Sequence, residues 1–398
     1  MSQGSSTAFR IKDVRVYTIK PSASAGTYFK PGASTHWLVD TLISNPMSGY
    51  AQYREKRSSW GIGVLGAVVV EIETEDGVTG VATGSGGVPA AWMIHHHFRR
   101  FLVGQDARNL NMIWDQLYRS SLPYGRKGMP IMAISAVDLA LWDLNGKVRG
   151  EPVYNLIGGK TRDEITFYCT GPDPVAIQKL GFWGAKVPLP WSHFDGEEGM
   201  AKNLQWLAAH RQNVGPDFPL MVDCYMSLTV DYAIRIAEAA KPLNIHWWEE
   251  VLSPEDVEGF RRIKAAHPTI KWTTGEHEYT RYGFRQLIEE RTLDIVQPDV
   301  MWVGGMTELL KIAAHASVYD LPVVPHGSGP YSYQFIASQT GAAFCEYVAA
   351  SPDGQSIMPV FGDLFEGEPM PENGKLRLGD APGFGMTLRT HETLQPVS

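Results

Sequence analysis

Leu220-Met-Val-Asp223, Ile245-His-Trp-Trp-Glu249 and Lys271-Trp-Thr-Thr-Gly-Glu276 are three short runs rich in apolar or β-favouring residues that each end in an acid. Each reads as a β-strand, and each is followed by a helical stretch. The acids recur at steps of about 26 and 27 residues, the length of one strand-loop-helix-loop unit of an α/β barrel. Carboxylates at successive strand ends of a parallel barrel point into one mouth. Unpaired negative charges at close range repel, so three of them there call for a divalent cation. The chain continues at a similar pitch to Asp299, His326 and Glu346.

Further strands fit that frame. Ile165-Thr-Phe-Tyr-Cys169 reads as the first barrel strand and Ala185-Lys186-Val187 as the second. Asp294 to Pro298, Leu321 to Pro325 and Ala343 to Glu346 supply strands six, seven and eight. Helical patterns run between them, over Glu197 to His210 and from Ser253-Pro254-Glu255-Asp256, where a Ser cap, a first-turn Pro and early acids predict a helix start. Eight such units over roughly 200 residues suit a TIM-type barrel with a short or irregular final element.

Upstream, Ile11 to Ile19 alternates in polarity, and Gly66 to Thr74 leads through Asp76-Gly77 into Val78 to Ala82, a hairpin signal. Tyr28 to Ile62 is rich in Gly, Ser, Pro and Trp without a period. A long irregular stretch of this kind is usually functional or disordered, and His36-Trp37, Arg54 and Arg57 stand out in it. Ile134, Val137, Leu141, Leu144 and Val148 form a helical stripe that ends near Gly150. The tail from Gly374 to Leu388 has hairpin-like glycines and is expected to pack back on the first domain. The expected domains are residues 1–160, 161–365 and 366–398.

Composition sets the bounds. At 398 residues, 44% hydrophobic and 20% charged, the chain has the makings of a soluble protein with a large core. A net charge of −8 leaves no basic footprint for nucleic acid. No stretch is apolar enough to span a bilayer, and the N-terminus has no charged and then apolar leader, so cytoplasm is the expected location. Cys169, Cys224 and Cys345 lie in predicted strands and read as buried hydrophobes in a reducing compartment.

Taken singly, an acid after a strand is more often a helix cap or loop charge than a ligand. Jointly, Asp223, Glu249 and Glu276 occupy equivalent positions, and an oxygen-only set suits Mg²⁺. Glu249 and Glu250 are adjacent, and strand side chains alternate, so only one is expected to point inward. Glu249 is the choice and Glu250 the alternative. His326 with Asp299, which could hold its tautomer, makes a general-base arrangement. Glu346 would donate to an oxyanion if its neighbours kept it protonated; a structural buried acid is the competing reading. His95-His96-His97 lies in a helical stretch where consecutive side chains diverge, and reads as a solvated face.

These residues resemble the enolase superfamily, and within it the acid-sugar dehydratases. Ala136-Val-Asp-Leu-Ala-Leu-Trp-Asp-Leu-Asn-Gly-Lys with Pro152-Val-Tyr-Asn-Leu-Ile-Gly-Gly is similar to the stretch that closes the capping domain there. Gly181-Phe-Trp-Gly-Ala-Lys-Val-Pro, Trp248-Glu-Glu, Gly275-Glu-His, Val324-Pro-His-Gly-Ser and Pro382-Gly-Phe-Gly resemble the group that acts on L-rhamnonate. The resemblance covers essentially the whole chain. It implies a modified (β/α)7β barrel, with an α+β capping domain built from both chain ends. It implies Mg²⁺ on Asp223, Glu249 and Glu276, an Asp299-His326 acid/base dyad, and Glu346 facing the substrate carboxylate. His36 and Arg57 match substrate contacts from the capping loops. A homo-oligomer, an octamer in that group, is implied as well.

One departure narrows the chemistry. Many superfamily members carry Lys-x-Lys on the second strand, and here it is Lys186-Val187-Pro188. Two-base racemisation loses a base, so a single-base reaction by His326 is the expected one, with Lys186 on the carboxylate and His277 a further substrate contact or a support of the ligands. The implied reaction is Mg²⁺-dependent dehydration of an aldonic acid in sugar catabolism. Another acid-sugar dehydratase and a non-catalytic sugar-acid-binding barrel are the alternatives.

Overall fold

The structure, a computed structural model, describes residues 7–20, 36–57 and 60–398. Residues 1–6, read above for a leader, and residues 28–35 and 58–59 of the irregular Tyr28 to Ile62 stretch lie outside the described residues.

The first sheet is antiparallel, formed by β1 (Ile11–Ile19), β2 (Ala67–Thr74) and β3 (Thr79–Ser85), with the tail strand Leu394–Pro396 on the free edge of β1. Val68, Val69 and Val70 are all fully buried, so both faces of β2 are covered. The predicted stripe sits on the helix Met129–Arg149, which lies directly on β3. Gly80 makes that approach possible: a Cβ there would stand 2.4 Å from the Ala140 carbonyl oxygen.

The second sheet is parallel and curls into the barrel. Its strands are β4 (Ile165–Thr170), β5 (Ala185–Pro188), β6 (Leu220–Asp223), β7 (Ile245–Glu249), β8 (Trp272–Thr274), β9 (Ile295–Val296) and β10 (Cys345–Val348). They run in the order β10-β4-β5-β6-β7-β8-β9. Lys375–Leu376 pairs antiparallel with β4, and Phe365–Glu366 pairs with Thr387–Leu388. The tail therefore engages both layers of the fold rather than the first alone.

Several boundaries differ from expectation. The seventh strand, expected over Leu321 to Pro325, is reduced to the bridges Val296–Val323 and Asp299–His326. Pro322 and Pro325 have no N–H to give to a ladder. β8 stops at Thr274 because Gly275 takes φ 141°, so Glu276 lies beyond the strand rather than at its end. Glu346 sits inside β10, two residues before its end. The helix expected from Ser253 begins at Val257, where the Asp256 side chain accepts from Gly259 N at 2.8 Å; Ser253 to Asp256 forms a separate turn. Of the three consecutive histidines only His96 is exposed, whereas His95 and His97 are half-buried.

Inside the barrel, side-chain alternation stacks two layers. Tyr168, Met221, Trp247, Ile295 and Val324 form a buried apolar plug. Two residues further along the same segments come Thr170, Asp223, Glu249, Gln297 and His326. The polar layer thus rests on a dry floor. The three cysteines are buried and unpaired. No helix among the described residues is long and apolar enough to cross a membrane.

Candidate functional site

The polar layer opens into a cavity of about 230 Å³, a size that suits a small molecule. Asp223, Glu276, Asp299, His326, Glu346 and Pro188 all face it. Lys186 lies behind them, fully buried, with Nζ 2.8 Å from Glu346 Oε1, in contact with Glu249 Oε1, and 3.9 Å from Asp223 Oδ2. Burial opposes its charge, but Glu249 and Glu346 outweigh that and hold it cationic.

Three acids converge beside the lysine. Asp223, Glu249 and Glu276 offer oxygens that all lie within 4.8 Å of one another. Glu249 Oε2 accepts from Trp247 Nε1 at 3.0 Å and from Gln297 Nε2 at 2.7 Å. Burial pushes Glu249 up to about 7 and Glu276 up to about 8, and the neighbouring acids add to the effect. Glu276 Oε2 is buried and accepts no hydrogen bond from the described residues. His326 Nε2 lies 3.3 Å from it. An all-oxygen donor set with an orphaned buried carboxylate oxygen fits a hard divalent cation.

Glu249 shares inward parity with Trp247, as expected. Glu250 does not point away, however. It leaves the extended region at φ 45°, and both its oxygens meet His277 Nδ1, at 3.0 and 2.9 Å. A second acid-histidine group, Glu250, Glu276 and His277, therefore adjoins the first. Burial opposes protonation of His277, yet Glu250 and Glu276 raise it to about 9. His277 is held between Tyr225 and Trp302, at ring centroid distances of 5.2 and 5.3 Å, and it does not line the cavity directly.

Across the cavity, His326 Nδ1 lies 2.8 Å from Asp299 Oδ2. The other carboxylate oxygen of Asp299 accepts from Ser328 Oγ and Met301 N, both at 2.8 Å. Asp299 is thereby locked as an acceptor, which leaves Nε2 as the histidine atom that can face a substrate. Burial disfavours charge on His326, but Glu276, Glu346 and Asp299 raise its basicity well above the usual range.

Glu346 corrects the sequence expectation of a protonated donor. Thr170 Oγ1 and Gly327 N both donate to it, the latter at 2.7 Å, and Lys186 pairs with it. Against the cost of burial, Lys186 and His326 pull its carboxyl down to about 2. It is an ionised acceptor.

Of the two loop residues, Arg57 lines the cavity, with its guanidinium 4.8 Å from the Tyr225 ring centroid and Nε donating to Leu38 O at 2.8 Å. His36 caps the short helix Trp37–Asp40, its Nδ1 accepting from Leu38 N at 3.2 Å, and its Nε2 lies 3.4 Å from Ala350 O. The wall there is formed by Trp37 and Leu38 instead. Arg54 turns outward to Asp195, at 2.8 Å. Thr170, Tyr225, Gln297, Trp302 and Ser328 were not anticipated. Strand parity alone could have found Thr170 and Gln297, whereas nothing local marks Tyr225 or Trp302.

A charged cation cradle facing a carboxylate-held histidine defines a barrel enzyme that removes a proton from a carbon acid. Comparison with known proteins agrees with that class. Residues 176–392 match the family described as Enolase C-terminal domain-like. Residues 62–158 match the Mandelate racemase / muconate lactonizing enzyme, N-terminal domain. The chain is 46% identical over 387 residues to a putative L-rhamnonate dehydratase of Caldivirga maquilingensis, covering 97% of this chain and 96% of that one. It is 44% identical to an L-rhamnonate dehydratase of Saccharopolyspora erythraea, covering 97% and 98%. A crystal structure of rhamnonate dehydratase from Gibberella zeae complexed with Mg superposes with a TM-score of 0.95 at 57% identity, covering 97% of this chain and 96% of that one. The chain belongs to the enolase superfamily, and within it to the family of the L-rhamnonate dehydratases.

Proposed function

We propose that the protein is a Mg²⁺-dependent hydro-lyase that converts L-rhamnonate to 2-keto-3-deoxy-L-rhamnonate and water. The observation that carries this reading is the His326-Asp299 pair facing the Asp223, Glu249 and Glu276 acids across one small cavity. The relatives named above, one of them a Mg complex, supply the substrate and the metal.

Asp223, Glu249 and Glu276 would hold the Mg²⁺ ion, which when bound supplies positive charge to a substrate carboxylate whose α-proton is otherwise very weakly acidic. The protein's part begins with His326. Its Nε2 takes the C2 proton, with Asp299 on Nδ1 fixing the ring and stabilising the imidazolium. The electron pair left at C2 forms the C2–C3 double bond as the C3–O bond breaks. The proton on His326 goes to the departing hydroxyl, which leaves as water, and the enol tautomerises to the keto acid. Glu276, the largest electrostatic source of the raised basicity of His326, would also be one of the cation's holders. Lys186 supports the negative end of the substrate from behind Glu346. Arg57 closes the mouth, and His36 anchors the turn that carries Trp37 and Leu38. Pro188 occupies the position of a second base, which favours elimination over racemisation.

In this reading residues 1–160 form the cap, 161–365 the barrel and 366–398 the returning segment. The enzyme works in the cytoplasm as a homo-oligomer in rhamnose catabolism. A panel of aldonic and uronic acid salts, assayed for keto-acid release, tests the substrate. Best turnover on an acid other than L-rhamnonate would replace that substrate. Failure to exchange the C2 proton of any acid with solvent deuterium would reduce the protein to a binder.

A further inference from the structure

Glu368 is a half-buried carboxylate that pairs with no cation among the described residues. Such groups are costly unless hydrogen bonds hold them. Here the holders are backbone: Val360 N donates to Oε1, and Phe361 N donates to Oε2 at 3.1 Å. Burial pushes the carboxyl up to about 7, with only these two N–H groups pulling it down. The chain reaches this position through Gly367, at φ 82°, where a Cβ would stand 2.9 Å from Gly385 O. Only glycine suits that turn, and it folds Glu368 back over the loop that follows β10.

Val360 and Phe361 are walls of the substrate cavity. Val360 also packs on Gly329, where the position of a Cβ would be 3.3 Å from the valine side chain. Gly329 ends the turn His326-Gly327-Ser328, and Ser328 holds Asp299. Phe361 packs at a tilt against Tyr331, at 5.3 Å between ring centroids, and the Tyr331 hydroxyl accepts from Thr83 N in the cap at 2.9 Å. The same loop is pinned at its middle by Tyr347, on β10, whose hydroxyl bonds Met358 N at 2.8 Å and Met358 O at 2.7 Å.

We propose that Glu368 is a positioning residue: its carboxylate clamps the backbone of Val360 and Phe361 and so fixes the cavity wall that packs against the turn carrying His326. It touches no reacting atom. The clamp is geometric, needing an acceptor at the right reach rather than a charge.

Two near-isosteric variants separate reach from charge. Glu368→Gln keeps the reach and one acceptor oxygen, which can stand at the Oε1 position that both Val360 N and Phe361 N reach, the latter at 3.4 Å, whereas Glu368→Asp keeps the charge and withdraws by one methylene. Amide exchange at Val360 and Phe361, read by mass spectrometry on the full chain, is expected to rise about tenfold in Glu368→Asp and to stay near wild type in Glu368→Gln. In steady-state dehydration, Glu368→Asp is expected to raise KM about tenfold with kcat within about threefold, and Glu368→Gln to restore KM. The kinetic arm rests on the proposed reaction and the exchange arm does not, so an inactive wild type would overturn the function while leaving the clamp testable. Unchanged exchange in Glu368→Asp, or a Glu368→Gln variant as impaired as Glu368→Asp, would overturn the clamp.

Discussion

His326 Nδ1 and Asp299 Oδ2 stand 2.8 Å apart although their residues come from different strand segments, paired only through isolated bridges at Val296–Val323 and Asp299–His326. The carboxylate fixes which nitrogen carries the proton, so its charge matters more than its size. Asp299→Asn is expected to lower kcat by about 10³- to 10⁴-fold with KM and melting temperature near wild type, by analogy with other carboxylate-held histidines. His326→Asn should abolish dehydration in a folded protein. Keto-acid release and a circular dichroism melt check both, and ordinary turnover by either variant would break the assignment.

Glu276 offers an oxygen with no hydrogen bond to lose. Glu276→Gln should weaken Mg²⁺ binding by at least about tenfold, measured by titration calorimetry. Without metal the variant should melt no lower than wild type, because a neutral amide relieves repulsion with Glu250 and Asp223. Exhaustive EDTA treatment should silence the wild type, and added Mg²⁺ should restore it; activity that survives the chelator would rule out the cradle.

Lys186 has the opposite balance. It is fully buried and neutralises Glu249 and Glu346 at once. Lys186→Met leaves both acids without their cation in a dry layer and should cost about 3–5 kcal/mol, the usual result of breaking a buried pair from one side. Denaturant melts of the metal-free protein measure this, and a loss below about 1 kcal/mol would mean that the network is not holding the acids.

Asp138 joins cap to barrel. It accepts from Thr307 N at 2.9 Å, next to the Trp142 Nε1 bond to Thr307 Oγ1. Burial raises its pKa to about 7 from an ordinary 3.8. The native state therefore binds this proton more tightly than the unfolded chain does. The stability it contributes is complete below about pH 4 and is lost as pH rises through about 7. The shift corresponds to about 4 kcal/mol. Asp138→Asn carries no such dependence, so melts from pH 4 to pH 8 should show the variant gaining on wild type as pH rises. A constant difference across that range would refute the buried proton.

Much of this was legible in the chain, and the pattern of misses is physical. Asp223, Glu249 and Glu276 announced themselves by pitch, because a parallel barrel repeats its strand-helix unit and local hydrophobicity records each strand. The seventh strand misled because Val323 and Val324 read as apolar extended chain, while the prolines beside them remove ladder donors. Alternation allows only one of Glu249 and Glu250 to point inward because it assumes extended backbone, and φ 45° at Glu250 ends the assumption.

The barrel, the three candidate ligand acids and the candidate base were legible in the chain, since each depends on periodicity or on residue type at a strand end. Tertiary structure alone decided protonation and position. Glu346 is ionised because Lys186, 160 residues away in the chain, lies 2.8 Å from it. His36 braces a turn while Trp37 and Leu38 form the wall, and Glu368 reaches back to hold Val360 and Phe361. Periodicity is a property of neighbours along the chain. Charge state and cavity shape belong to neighbours in space, and only folding makes those.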